Sequence, residues 1–193
     1  MKTILGLSLL LLLLQSCGNS SEKKTGKVPE AAIEKPSFFP VTDYIKGQIR
    51  EIGEKQVNPI KYVISKGHTD SSWLKMEELP DAFSDFLHPQ IDYLNLVQWF
   101  KESSFMDQSI DAFTFTYEAL GHLPDSLQLQ HWDVYVDPPS GKVRRIYIVK
   151  NASNGKTRQL TWQGDKWCKI VDVITKPDGT SEVEKEINIR WDF

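Results

Sequence analysis

Apolar and polar residues alternate, one for one, through most of the second half of the chain. Phe113, Phe115 and Tyr117 alternate with Thr114, Thr116 and Glu118, and Trp132, Val134 and Val136 with Asp133, Tyr135 and Asp137. A period of two places alternate side chains on opposite faces of a strand, so each run predicts a strand with one buried face. Further strands are predicted over Val143–Lys150, Gln159–Gln163, Lys166–Ile174 and Glu186–Phe193. In the last, Ile187, Ile189, Trp191 and Phe193 share a face. The turns carry their own chemistry: Asp137-Pro138-Pro139-Ser140-Gly141, Pro177-Asp178-Gly179, and Gly164-Asp165 as a two-residue hairpin loop. Successive strands joined by short turns predict an antiparallel meander.

The first half changes period. Val41, Ile45, Ile49 and Ile52 fall on one helical stripe, with Thr42 or Asp43 placed to cap it and Gly53 to end it. Leu79, Ala82, Phe83, Phe86 and Leu87 predict a second helix, with Pro80 tolerated in its first turn. Between them, Pro59–Ser65 reads as a strand and Gly67-His68-Thr69-Asp70-Ser71-Ser72 as a polar loop. A strand is also expected around Gln98–Phe105. The expectation is an α+β domain: a curved antiparallel sheet, meander or partly open barrel, covered on one face by one or two N-terminal helices. The turns differ too much in length and chemistry for a repeat architecture.

Composition adds a core and removes a class of partner. Six Trp, six Tyr and nine Phe supply large buried areas in a chain sized for one domain. The formal net charge is −3, and a mature chain without Lys2 carries 22 basic against 26 acidic residues, or −4. This argues against nucleic acid as a partner, since phosphate binding needs clustered cations. The densest basic group, Lys142, Arg144 and Arg145, is divided between the two faces of a strand and reads as a solvated hairpin.

The search for chemistry is mostly negative. His68, His88, His122 and His131 stand in no metal-ligand spacing, so neither a metal nor a cofactor is expected. His68, Asp70 and the nearby serines are too close together to form a triad, whose members normally meet from separate elements. No nucleophile elbow or phosphate loop occurs. Among the carboxylates Glu77, Glu78, Asp81, Asp85, Asp107 and Asp111, a glycosidase would need two facing across a cleft. Glu77 and Asp81 are expected on the solvent face of the second helix instead. Cys168 reads as a small buried hydrophobe. Tyr135 and Tyr147, on the polar parity of their strands beside Asp133, Asp137 and Arg145, are the residues placed to wall a ligand site. No catalytic, cofactor-binding or metal residue is assigned, and the residues lean away from an enzyme.

The N-terminus is the most specific segment. Lys2 precedes an unbroken apolar stretch, Ile4–Leu14, which ends in Leu14-Gln15-Ser16-Cys17. Its length suits a secretory signal and is too short for a membrane span. Leu14, Ser16 and Cys17 resemble the lipobox processed by lipoprotein signal peptidase, in which the cysteine receives lipid before cleavage. The start of the mature chain, with its Lys- and Ser-rich tether, looks like the envelope lipoproteins of the Bacteroidota. The resemblance implies a signal peptide over 1–16, a lipidated Cys17 with a flexible tether over 17–36, and a single α+β domain over 37–193. A tether of about twenty residues reaches about 25 Å on average. An acidic run after the cysteine, which would direct such proteins to the cell surface, is missing, since Glu22 is followed by Lys23 and Lys24. Gly18 also fits outer-membrane delivery. The implied address is the bacterial cell envelope, at the outer membrane and facing the periplasm.

Three functions are weighed on that footing. The first is a non-catalytic domain, tethered through lipidated Cys17, that binds a protein partner or envelope ligand. The others are a small envelope hydrolase using carboxylates or histidines, and a periplasmic carrier of lipid or another hydrophobic ligand. Converging acids and histidines in a pocket would favour the hydrolase, a large apolar cavity the carrier, and a filled core with an exposed apolar patch the interaction domain.

Overall fold

The computed structural model describes residues 38–152 and 155–192. The signal, Cys17, the tether and Phe193 lie outside the described residues. Nine strands form one antiparallel sheet: β1 (Ile60–Ser65), β2 (His68–Trp73), β3 (Phe100–Asp107), β4 (Ala112–Ala119), β5 (Leu129–Val136), β6 (Val143–Asn151), β7 (Lys156–Gln163), β8 (Trp167–Thr175) and β9 (Ser181–Arg190). Their order is β2-β1-β9-β8-β7-β6-β5-β4-β3. The last seven strands are therefore a simple meander, and the β1–β2 hairpin pairs with its final strand. The sheet does not close into a barrel, and β2 and β3 are its edges.

The inward face is built as rows running across the sheet. Tyr117, Trp132, Ile148, Leu160, Ile170 and Ile187 are successive cross-strand neighbours. A second row runs through Val134, Ile146, Trp162, Cys168 and Ile189, all buried. The helical segments cover these rows. Helix α1 (Val41–Glu54) buries Val41, Ile45 and Ile52 as its periodicity predicts. Its cap differs from expectation: Pro40 stands at the N-cap, Gly53 lies inside the helix and Lys55 ends it. Thr42 is buried, and its hydroxyl accepts the amide of Ile91 at 2.8 Å, tying α1 to the segment before β3. A buried backbone N–H needs such a partner, and that need outcompetes the capping role.

The predicted second helix is broken. A 3₁₀ turn (Met76–Glu78) leads into α2 (Leu79–Ala82) and α3 (Ser84–Leu87), separated at Phe83, whose φ of −105° and ψ of 4° are not helical. The apolar stripe survives the break: Leu79, Phe83 and Phe86 are all buried. Packing explains this, since Phe83 meets Trp162 and Trp191 edge-on and Phe86 meets Trp162. Edge-to-face pairs of this kind add about 0.5–1.5 kcal/mol beyond their buried area. A short α4 (Tyr93–Leu96) precedes β3, capped by Asp92, which accepts the amide of Asn95 at 2.9 Å.

A second aromatic group stands where the domain begins. Tyr117 stacks on Trp132 at 4.5 Å and 7°, and Phe38 meets both edge-on. The Tyr117 hydroxyl accepts the amide of Phe39 at 3.0 Å. Two local expectations are corrected here. The 67–72 stretch is not a loop, since most of it is edge strand β2, polar because it is exposed throughout. The Gly164 turn holds three residues, because Gln163 pairs with Trp167.

Candidate functional site

Beyond the two apolar rows, the inward face continues into a charged one. Lys150 on β6, Arg158 on β7, Asp172 on β8 and Lys185 on β9 are successive cross-strand neighbours. Each continues an apolar parity: Ile146 and Ile148 lead to Lys150, Trp162 and Leu160 to Arg158, Cys168 and Ile170 to Asp172. Lys150 and Asp172 are buried, at 6% and 9% exposed. Helix α3 and the segment after it pass over this end of the sheet and leave a cleft of about 590 Å³. Ser84, Asp85, His88, Ser126, Gln128 and Asn151 complete its polar lining.

One guanidinium organises the cleft. Arg158 grips Asp172 with two bonds, Nε to Oδ1 at 2.6 Å and Nη2 to Oδ2 at 3.0 Å. Its remaining nitrogen, Nη1, reaches both oxygens of Asp85 at 2.9 and 3.1 Å. A planar fork suits this double grip, which a lysine could not make. The hydrogen bonds to Asp172, with Asp85 nearby, raise the already high pKa of Arg158 further. Both carboxylates are thereby held by one side chain.

Lys150 does a different job. Its ammonium donates to the backbone carbonyls of Asp85 and His88, the latter at 2.5 Å. These carbonyls lie in and just beyond the last turn of α3, where a helix lacks internal partners. Burial pushes the Lys150 pKa down from 10.5 to about 8, against the pull of Asp85 and with a push from Arg158. At the mouth of the cleft Lys156 pairs with Glu184 at 2.5 Å.

The residues singled out from sequence fall in several places. Asp85 and His88 come to the cleft, whereas Glu77, Glu78, Asp81 and Asp111 are exposed elsewhere. Asp107 is bound by its own turn, accepting the amide and hydroxyl of Ser109 at 2.9 and 2.6 Å. His68 stands 3.7 Å from Asp70 with both largely exposed, which leaves the pair to solvent. Cys168 is fully buried, and burial pushes its thiol pKa well up. Among the described residues, no three His, Cys, Asp or Glu side chains gather to hold a metal ion.

Tyr135 and Tyr147 do share the outward face, but as a surface. Arg145 lies over the Tyr135 ring at 4.1 Å, Asp133 accepts the Thr116 hydroxyl at 2.7 Å, and Tyr147 stands 6.1 Å from His131. These contacts engage the groups around the two tyrosines, and an open hollow beside them is lined by Thr116, Glu118, Gln130, His131 and Asp133. Asp137 is drawn away into a 2.8 Å pair with Arg144. Sequence reading passed over Lys150, Arg158 and Asp172, although a charge at the same inward parity on three adjacent strands was there to be seen.

Fold and site together define an α+β domain with an open nine-stranded antiparallel sheet and a polar cleft at one end of its covered face. Compared with protein-family models, curated proteins and solved structures, the chain matches none.

Proposed function

We propose that this chain is a non-catalytic binding domain, held by lipid on Cys17 at the outer membrane of a bacterial envelope and facing the periplasm, and that the cleft receives a polar envelope ligand. The observation that carries the reading is the double grip of Arg158. A carboxylate serving as general acid or base needs an oxygen turned to the proton it transfers in the substrate. Asp85 and Asp172 both spend their charge on one guanidinium, and Lys150 spends two of its protons on backbone carbonyls. Such a site is suited to holding a ligand rather than to turnover.

The carrier reading finds less support. The interior is filled by Trp132, Trp162, Tyr117, Phe83 and Phe86, each no more than 1% exposed. The cleft is lined by Lys150, Lys156 and Arg158 against Asp85 and Asp172, and is rich in neutral hydrogen-bonding groups. That lining suits a ligand with interspersed donors and acceptors, such as a saccharide or a short peptide, more than an acyl chain.

Two experiments test the two halves of the proposal. Cys17→Ala should abolish labelling by a clickable fatty acid and leave the protein out of the membrane fraction; unchanged labelling sinks the anchor. For the cleft, amide shifts of the isotope-labelled, unlipidated chain are followed during titration with short oligosaccharides and with short peptides at millimolar concentration. Shifts should concentrate at Ser84, Ser126, Gln128 and Asn151 and be lost in Ser126→Trp. No shift there from either class rejects the ligand site.

A further inference from the structure

The edge strand β3 carries charged side chains, Lys101, Glu102 and Asp107, but neither the shortness, the proline nor the bulge that also keep a sheet edge from pairing. Its eight residues run in unbroken register with β4, without proline and without the bulges that interrupt β5–β6 and β8–β9. Residues 101 to 106 are all exposed, with Phe105 at 52% and Met106 at 39%. Along the outer side of such a strand, alternate residues turn their N–H and C=O away from the sheet, ready for another strand. The opposite edge, β2, is shorter and mostly polar, with His68, Thr69, Asp70, Ser71 and Ser72 before an exposed Trp73.

The outermost charges of β3 are complementary about its centre, while Glu102 falls opposite Met106. Lys101 and Asp107 are equidistant from Ser104. Lys101 pairs with Glu118 at 3.8 Å, where both are exposed and the attraction is screened. We infer that β3 is the interface at which two copies of this chain pair antiparallel, edge to edge, about a two-fold axis at Ser104. In this register Lys101 of each copy faces Asp107 of the other. The two Phe105 rings become diagonal neighbours across the axis, within reach for aromatic contact. Opposed residues point to the same face in an antiparallel pair, so both covered faces lie on one side of a continuous sheet. A foreign strand would match this edge only by carrying the same order of charges, whereas a second copy carries it by symmetry.

A single strand pair buries less than the about 1,200–2,000 Å² of a stable complex, so the association is weak in dilute solution. Confinement of tethered copies to a thin layer would raise their effective concentration.

The test uses the mature chain with Cys17→Ser, which makes it independent of the anchor and of the cleft. Sedimentation equilibrium should show the mass rising from monomer toward dimer between micromolar and millimolar protein. Only in the proposed register does residue 104 face itself. Ser104→Lys and Ser104→Glu should therefore each weaken self-association by about tenfold or more, while an equimolar mixture restores it to at least the parent level. Ser104→Cys should form a symmetric disulfide on mild oxidation, since directly opposed residues lie about 4.5–5.5 Å apart. Three outcomes overturn the inference: a parent chain that stays monomeric to millimolar concentration, a dimer indifferent to Ser104→Lys, or charged variants that fail to combine although each folds.

Discussion

Arg158 reaches across the cleft to Asp85 at 2.9 Å and so fastens α3, which has only four residues of its own, to the end of the sheet. A helix of one turn has no independent stability. Its position depends on this contact, on the Lys150 bonds to its carbonyls and on the burial of Phe86. The cleft wall is therefore as firm as the polar network beneath it.

Removing the fork should show this. Breaking a fully buried ion pair costs about 3–5 kcal/mol, and the one-third exposure of the Arg158 side chain reduces that, so Arg158→Met is expected to destabilise by about 2 kcal/mol in urea unfolding. Arg158→Lys should recover little of it, because an ammonium cannot grip two carboxylates in a plane. Asp85→Ala is expected to cost less than Arg158→Met while speeding amide exchange in α3. Equal stability of Arg158→Lys and the parent would show that charge alone suffices.

Cys168 should be silent to thiol reagents in the native state and react only on unfolding. Its pKa is raised by burial, whereas an unfolded thiol ionises near 8.5. Above that pH the unfolded chain gives up a proton that the folded chain keeps, so stability present at neutral pH declines. Cys168→Ala removes this decline, at a cost of about 1 kcal/mol for the lost packing. Rapid native modification of the thiol would contradict its burial.

Lys150 should act with the opposite sign. Its folded pKa is lowered, so between about 8 and 10.5 the unfolded chain binds more protons than the folded one. Stability then rises with pH across that window. The effect is cleanest in a Cys168→Ala background and below the range where tyrosines ionise. There, unfolding free energy is expected to increase from pH 8 to 9.5, and Lys150→Met should flatten the rise. A fall over the same interval, in that background, contradicts the assignment.

The Tyr117 hydroxyl holds the first described residues against the sheet. Tyr117→Phe keeps the ring on Trp132 but orphans the Phe39 amide, for an expected loss of about 1–2 kcal/mol. Tyr117→Leu, which also removes the stack, should cost more, about 3 kcal/mol. A thermal unfolding series of the two separates hydrogen bond from ring.

What could be read from the sequence follows from what each residue borders. Strands in the middle of the sheet have one face on the core, so Trp132, Val134 and their neighbours alternate and announce themselves. Strand β2 has no such face, and its polar run looks like a loop until β1 pairs with it. The break at Phe83 is invisible because the stripe from Leu79 to Phe86 satisfies helical spacing whether or not the backbone stays helical. The cleft was the hardest part. Lys150 and Arg158 sit near the ends of their strands, where a charge is ordinary, and with Asp172 they acquire meaning only once the β6–β7 and β7–β8 registers are aligned.

The placement of β9 between β8 and β1 has a consequence for how the molecule is made. The hairpin β1–β2 joins the sheet through β9, so this contact links segments more than a hundred residues apart. Pairings between distant segments form slowly. During synthesis from the N-terminus, β1 and β2 would wait until Ser181–Arg190 had been made. The arrangement is a check on completeness: a copy cut short before Ser181 would leave β1 and β2 with no sheet to join.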